Sequence, residues 1–363
     1  MKIAILADPL DNQSAGVHTY TKQLVEALIK YDTQNEYLLI REKKDPNLTI
    51  TQIAIPNIRL PIGFTSLRLF FIIPYILRVE KVDAVLEPAH FGPFNLPKRI
   101  KRITMIHDLT PLLFPQYHRL HSQLLQRIFL KRILRKADLI LSNSENTSKD
   151  LVQFFPFAKS KIKTILLGRD TEFQPTPSRT FLLKNEIADP YFLSTGTIEP
   201  RKNLNVLLEA YRLFRDQTKE KVLLILVGKK GWKTDDFFSK LKIHPYRKDI
   251  ILTGFVVKNE LIELYSHALA LVYPSFYEGF GLPVLESLSC GTRVICSNSS
   301  SFPEVGGSVS LYFQPEDAKE LLGLLQTVYQ DFKLSINHKT LLFNQAYKFS
   351  WMDYVKQLEE ATL

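Results

Sequence analysis

Short apolar runs, too continuous for a half-exposed strand, recur along this chain, and most are followed by a segment of helical periodicity. KIAILA (2–7), YLLI (37–40), VDAVLE (82–87), RITMIH (102–107) and ADLILSNS (137–144) form a first set. YFLSTG from Tyr191, KVLLILVG (221–228), IILTGF (250–255), ALALVYPS (268–275) and TRVICSN (292–298) form a second. A strand that is apolar on both sides must be covered on both faces, which strand–helix–strand units in a parallel sheet achieve. The pattern predicts an α/β chain of two Rossmann-like domains, with helices over 17–31, about 119–136 and 203–216 among the crossovers. The pattern breaks within 166–190, at Asp170, Pro175, Pro177 and Asp189-Pro190, which places the domain junction there. A chain of 363 residues is also long for a single core.

In open parallel sheets, ligands gather beyond the carboxyl ends of the strands. That rule singles out the loops at 8–17, 107–111, 196–203, 228–232, 254–258 and 276–283, and two such edges facing each other would make a deep cleft. The opening MKIAILADPL reads as a strand rather than a secretory leader. The apolar run LFFIIPYIL (69–77) is far shorter than the roughly 20 residues of a membrane span. Two cysteines, Cys290 and Cys296, are too few for a disulfide framework, so a cytoplasmic location is expected. The net charge is +10, and between Lys98 and Lys136 ten Lys or Arg residues face one acidic residue, Asp108. That excess calls for an anionic partner: nucleic acid, phospholipid headgroups or a phosphorylated substrate. Arg127, Lys131 and Arg135, four residues apart, would line one face of a basic amphipathic helix, suited either to an anionic membrane surface or to plain solvent. LRLFFIIPYILR (67–78) would add apolar contact to such a surface, or belong to the core.

Five stretches carry chemistry. In YEGFGLPVLESLSCG (277–291), Glu278 and Glu286 lie eight positions apart around Gly279 and Gly281, and Pro283 suits the first turn of a helix. The glycines let backbone approach a ligand, and the helix start favours an anion. A tight strand–helix turn would explain one glutamate; the pair, with glycines between, favours a ligand site. In STGTIEPRKNLNVLLEAY (194–211), Arg201 and Lys202 follow a strand end and are placed to hold a diphosphate, with Asn203 as the helix N-cap. A solvated basic loop is the plainer alternative. Gly16 opens the first helix, at either a phosphate approach or a simple turn. His107 and Asp108 end a strand, where the histidine would donate to a hydroxyl or phosphate or serve the structure alone. No HExxH, CxxC, P-loop or GxGxxG pattern is present, so metal, nucleotide hydrolysis and NAD are not expected.

YPSFYEGFGLPVLESLSCGTRVICSNSSSFPEV, with its Glu-x7-Glu spacing, resembles the signature of retaining glycosyltransferases of family 4. TGTIEPRKNL, LVGKKGW, LTGFVVKNELIELYSHALALVYPS, MIHDLTPLLFP and ADLILSNSENTSKDL occur in the family's order, so the resemblance spans nearly the whole chain. It is nearest to bacterial mannosyltransferase-like members that build polysaccharides. The resemblance implies the GT-B fold: an acceptor domain at 1–170, a nucleotide-sugar domain at 171–346, and a closing helix within 347–363 that packs back on the first domain. It implies that Glu286 bonds the donor ribose, and that Glu278 sits by the transferred sugar with the amides of Gly279, Phe280, Gly281 and Leu282. Arg201 and Lys202 would hold the diphosphate, Gly16 would approach it, His107 would lie near the sugar, and Gly254 to Val256 would frame the base. Thr197 stands in the phosphate loop where many members have Arg, Ala15 precedes Gly16 where a second glycine is common, and Arg293 replaces a common Pro. None of these departures removes a catalytic group.

The implied reaction is metal-independent transfer of a hexose, by preference mannose from GDP-mannose, to a lipid-linked, polysaccharide or oligosaccharide acceptor. The incoming hydroxyl would attack on the leaving group's own face, with a diphosphate oxygen taking its proton. A UDP-glucose or other UDP-sugar donor is the alternative, ahead of a sugar-nucleotide epimerase or phosphorylase on the same fold. A non-enzymatic scaffold using the basic stretch 98–136 is a third reading, but would not need a complete donor site. The expected partners are a nucleotide-sugar, a glycan or glycolipid acceptor and the inner membrane surface, without nucleic acid.

Overall fold

The computed structural model describes residues 1–12, 16–56, 67–90, 92–93, 95–117 and 126–362, the side chains of Gln126 and Arg127 excepted. Within them the chain forms two compact units, one of Met1–Gly168 with Ser350–Leu363 and one of Arg169–Phe349.

The first unit is built on β1 (Lys2–Leu6), β2 (Glu36–Arg41), β3 (Thr51–Ala54), β4 (Ala84–Glu87), β5 (Lys101–Ile106), β6 (Leu139–Ser142) and β7 (Ile162–Thr164). These pair in parallel in the order β3-β2-β1-β4-β5-β6-β7. The order reverses direction between β1 and β4, the place where open α/β sheets leave a crevice at their carboxyl edge. The second unit holds β8 (Tyr191–Thr195), β9 (Leu223–Val227), β10 (Ile250–Gly254), β11 (Ala270–Tyr273), β12 (Arg293–Ser297) and β13 (Leu311–Phe313). They are parallel too, in the order β10-β9-β8-β11-β12-β13, with the reversal between β8 and β11.

The apolar runs become the central strands because their side chains are buried on both faces: Ile3 to Leu6 and Leu223 to Val227 are buried without a break. In the second unit Phe192, Leu224, Leu226 and Val272 pack against Leu207, Tyr211 and Phe214 of the helix Leu204–Gln217 and against Leu321 and Leu325 of the helix Ala318–Lys333. In the first, Ala4, Leu6, Leu38, Ile40 and Val85 pack against Ile73 and Leu77. Three outer strands, β3, β7 and β13, escaped the sequence pattern. TQIA, IKT and LYF are three or four residues long and only partly buried, so none carries a continuous apolar run. The basic helix expected over 119–136 is seen in its second half, as a π-type turn Gln126–Leu130 leading into Lys131–Lys136. Residues 119–125 of that expectation, and Ala15, lie outside the described residues.

The last helix, Trp351–Thr362, belongs to the first unit and packs on the helix Gly16–Tyr31. Its Tyr354 hydroxyl meets that of Tyr20 at 2.7 Å, with both rings buried. Replacing Tyr354 by Phe leaves the Tyr20 hydroxyl buried and unpaired, so a loss of about 1–3 kcal/mol is expected. Urea unfolding of the Tyr354→Phe protein measures it, and an unchanged midpoint would mean that the contact contributes nothing.

Candidate active site

The carboxyl ends of β8 and β11, neighbours at the sheet's reversal, carry the two motifs and bring them together. After β8 the backbone turns at Gly196, whose φ is +117°, and a short 3-10 turn Pro200–Lys202 follows. A Cβ on Gly196 would meet Lys202 Cε at 3.1 Å and Nζ at 3.2 Å, so this glycine both makes the turn and leaves room for the lysine. After β11 the chain runs to Gly281, at φ +104°, and enters the helix Leu282–Ser289 with Pro283 in its first turn. The two loops are tied by a bond from the Phe276 amide to the Arg201 carbonyl at 2.9 Å. The serines after β12 brace the glycine loop from behind. Ser300 Oγ accepts from the Glu278 amide at 3.1 Å, and Ser301 Oγ donates to the carbonyls of Glu278 at 3.1 Å and Phe280 at 2.7 Å.

Glu278 Oε1 lies 2.7 Å from Lys202 Nζ and 2.7 Å from Arg201 Nη1. Arg201 also donates to the Tyr277 carbonyl at 2.6 Å and to Glu199 Oε1 at 2.6 Å. Lys202 donates to the Tyr273 hydroxyl, which in turn donates to Glu278 Oε1 at 3.3 Å. Two cations and two carboxylates are thus gathered where burial removes most water. Burial by itself opposes ionisation of Glu278, but the charges of Arg201 and Lys202 outweigh it and hold the carboxyl down to about 2. Burial also lowers the Lys202 ammonium, against the pull of Glu278. Because its pKa is depressed, the pairing of Glu278 supports the fold fully above the ordinary carboxylate value of 4.5 and is lost as the pH falls from there through about 2.

Glu286 sits just beyond the first turn of its helix, which begins at Leu282, so it does not complement the helix start. Its Oε2 accepts from the Tyr265 hydroxyl at 3.0 Å, and that hydroxyl is 3.2 Å from Thr195 Oγ1 at the end of β8. Burial pushes its carboxyl up to about 7, the Tyr265 bond opposing and the charge of Asp170 assisting. Nearby, Lys258 bridges Asp170 and Glu172, each at 2.8 Å. Gly254 ends β10 at φ +72°, Val256 is buried and Phe255 is exposed, with the Lys229 ammonium 5.0 Å from its ring centre. Thr197 is exposed on the turn after β8. Asn203 holds the N-cap position in the left-handed region, but its side chain donates to the Pro315 carbonyl at 2.6 Å instead of capping. Arg293, in place of the common proline, pairs with Asp331 and so serves β12 rather than the site.

In the first unit His107 follows β5. Its Nε2 is 2.8 Å from the Pro88 carbonyl, and its amide donates to His90 Nε2 at 2.7 Å. A carbonyl only accepts, so the neutral ring spends its single N–H there and Nδ1 is left as an acceptor. Burial lowers the ring's basicity. The expectation that His107 donates to a ligand is revised accordingly: it offers a lone pair. Tyr20 packs edge-on against it, centroids 4.8 Å apart. Asp108 is used locally, accepting from the Thr110 amide at 3.0 Å and hydroxyl at 2.6 Å. Gly16 begins its helix with nothing within 4 Å of a Cβ placed on it.

Sequence reasoning missed Glu199, Tyr265, Tyr273, Gly196 and His90 as parts of these clusters. Glu199, two residues before Arg201, was the one with a visible signal. The tyrosines lie in a helix and a strand that read as core, and they are indeed buried. Among the described residues, no group of three or more His, Cys, Asp or Glu side chains is arranged to hold a metal ion. Both cysteines are buried thiols.

Two family descriptions match the chain: "Glycosyltransferase Family 4" over residues 14–173 and "Glycosyl transferases group 1" over 181–339. The O-antigen chain mannosyltransferase B of Escherichia coli is 36% identical over 275 residues, covering 74% of this chain and 72% of that protein. The chain belongs to glycosyltransferase family 4. The serotype-specific mannosyltransferase WbdA of Escherichia coli is 29% identical over 69% of this chain, which spans 32% of WbdA's length. Among solved structures, Anabaena HepE in complex with UDP-glucose superposes with a TM-score of 0.74 at 17% identity, covering 100% of this chain and 99% of that one. Sucrose-phosphate synthase from Thermosynechococcus elongatus gives 0.73 at 19% identity, covering 99% and 98%. The fold of this glycosyltransferase is therefore GT-B, and its activity is sugar transfer from a nucleotide-sugar donor to a glycan or lipid acceptor.

Gly196→Ala tests the geometry of the site. A Cβ there needs a disfavoured φ and presses on Lys202, so nucleoside diphosphate binding should weaken by about tenfold or more while far-ultraviolet circular dichroism is kept. Unchanged binding by calorimetry would show that Lys202 is not held by this turn for the ligand.

Proposed function

We propose that this family 4 enzyme transfers a hexose with retention, by preference mannose from GDP-mannose, to a polysaccharide, oligosaccharide or lipid-linked acceptor. The observation that carries the reading is the carboxylate of Glu278 shared between Arg201 and Lys202 at the edge where β8 and β11 end. Two adjacent cations whose counterion is a carboxylate form an anion site already holding an anion of their own. A donor diphosphate takes that place, offering bidentate geometry to Arg201 and charge to Lys202. Glu278, released from them, reaches the hexose beside Gly279, Phe280, Gly281 and Leu282. Glu286 accepts from the ribose, and the backbone from Gly254 to Val256 frames the base.

As the sugar–phosphate bond breaks, charge grows on the leaving diphosphate, and preorganised donors stabilise it without rearrangement. Arg201, Lys202 and the start of the helix Leu282–Ser289 supply that field. The acceptor hydroxyl attacks from the leaving group's face and gives its proton to a diphosphate oxygen, while Glu278 stabilises positive character at the sugar carbon. His107 accepts from a sugar hydroxyl through Nδ1, and Gly16 offers close backbone approach. The preference for mannose rests on the relatives named mannosyltransferases in Escherichia coli. A UDP-sugar is the second donor, since a solved structure of the same fold carries UDP-glucose. An anionic membrane surface, met through the basic stretch 98–136, is part of the same reading.

Calorimetric titration with GDP and UDP, followed by transfer assays with the matching sugars, decides the donor; binding of neither would overturn the reading. Glu278→Gln separates its two roles. Removing the resident carboxylate should tighten nucleoside diphosphate binding by about tenfold, yet cut transfer by two orders of magnitude or more. Wild-type transfer by this variant would remove Glu278 from the mechanism.

Glu286 makes donor binding pH-dependent. Its carboxyl is held up to about 7, so it is largely protonated below that pH and accepts fully from two hydroxyls only above it. Donor affinity should therefore rise from pH 6 to 8, with proton release on binding near neutrality, and Glu286→Gln should abolish the release. Titration in buffers of different ionisation enthalpy reads this directly.

A further inference from the structure

One helix of the first unit presents apolar side chains to both sides. The segment runs from a π-type turn, Arg68–Ile72, into the α-helix Ile73–Val79. Its inner face, with Ile73 and Leu77 buried and Leu69, Ile72 and Ile76 beside them, packs on Ala4, Leu6, Leu38, Ile40 and Val85 of the sheet. Its outer face carries Leu67, Phe71, Tyr75 and Val79 at four-residue spacing, exposed by 47, 66, 66 and 56%. Four-residue spacing sets them in one stripe about 18 Å long. A surface helix ordinarily turns charges outward, and one that is apolar on both faces has an apolar partner on each.

The stripe is flanked by positive charge at both ends. Arg78 and Lys81 are exposed at its carboxyl end. Lys98 and Arg99 are exposed between Leu96 and Ile100, which pack in the same apolar cluster as the helix. Asn95, just ahead of them, donates to the carbonyl of Phe70, which places this cationic turn beside the helix's first half. The nearby acidic groups, Glu80 and Asp83, are engaged by the side chain and amide of Lys2. Cations at both ends disfavour a second copy of the chain as the occupant, because a two-fold contact along the stripe would bring like charges together. They suit an anionic lipid surface, where aromatic and aliphatic side chains enter the boundary and Lys and Arg meet the headgroups.

The helix also points back to the site's edge of its own sheet. Arg68, at the helix start, is buried and pairs with Asp8, the second residue beyond β1, with Nη2 2.7 Å from Oδ1. The stripe's first residues therefore lie next to the carboxyl edge of the sheet, the edge that also bears Gly16 and His107.

We infer that Leu67, Phe71, Tyr75 and Val79, framed by Arg78, Lys81, Lys98 and Arg99, form a docking surface for an anionic lipid bilayer. The sequence left 67–78 open between membrane contact and core; the structure divides the stretch, with Ile73 and Leu77 in the core and Phe71 and Tyr75 outside. Docking rests on the proposed transfer to a lipid-linked acceptor only for its purpose, since it is measured without donor or acceptor.

The test is co-sedimentation of the full chain with phosphatidylcholine vesicles, with and without phosphatidylglycerol. Wild type should bind the anionic vesicles and lose them at high salt. Phe71→Ser with Tyr75→Ser should lower the partition by tenfold or more, on the order expected for two large side chains leaving an apolar phase. Lys98→Ser with Arg99→Ser should lower it roughly tenfold on anionic vesicles alone. Both variants should keep the wild-type urea midpoint, which certifies the fold of the unit that carries them. Wild-type binding by the apolar variant, or no binding by the parent, overturns the inference. So does a dimer in solution that Phe71→Ser dissociates, which would give the stripe to a second copy. Failure of donor binding in every form would sink the proposed function and leave the docking result standing.

Discussion

A single carboxylate held between two cations organises the second unit's ligand edge. Glu278 is too buried to keep its charge alone and too well paired to lose it, whereas burial lowers the Lys202 ammonium in spite of the same pairing. Taking one member away from such a group leaves uncompensated charge in a low dielectric, which costs about 3–5 kcal/mol. The loops after β8 and β11 are therefore bound to each other electrostatically as well as by the Phe276–Arg201 backbone bond. Gly196 is part of the same constraint, because the lysine's path to the carboxylate runs through the space a side chain would fill.

On the proposed role of Arg201 and Lys202 as the diphosphate's cations, that arrangement links stability to chemistry. A site that must stabilise growing negative charge needs cations fixed before the reaction, and fixed cations need a counterion while no ligand is present. Glu278 supplies it from within, and Tyr273 gives the lysine a second, neutral partner. Glu286 is governed by the opposite balance. The Tyr265 hydroxyl and the charge of Lys258 do not outweigh burial, so its carboxyl rests near neutrality. Two glutamates eight residues apart thus differ in acidity by several powers of ten because of what stands next to them.

Much of this was legible in the sequence for a simple reason: parallel sheets buried on both faces write continuous apolar runs. Ten of the strands announced themselves that way, and the loops after them could be ranked as ligand-bearing before any coordinate was known. β3, β7 and β13 did not, since short and partly exposed edge strands carry no such run. Asn203 looked like a cap and sits at the cap position, yet its amide serves Pro315, a contact 112 residues away that no local pattern records. His107 was visible as a strand-end histidine. Its hydrogen-bonding direction was not, because that depends on the Pro88 carbonyl across the sheet edge.

By itself, the sequence determined the fold class, the family and the motifs that carry Glu278, Glu286, Arg201 and Lys202, but not Glu199, Tyr265 or Tyr273, which join them. The fold class and the family follow from periodicity and from motifs whose members lie within a few positions of one another. Tertiary structure decided the rest: which cation pairs with which carboxylate, why Glu278 is the more acidic glutamate and Glu286 the less, and which apolar helix face is exposed. Those depend on burial and on contacts between segments far apart in the chain. Phe71 and Tyr75 read in sequence no differently from Ile73 and Leu77; only the packing of their helix on the sheet separates surface from core.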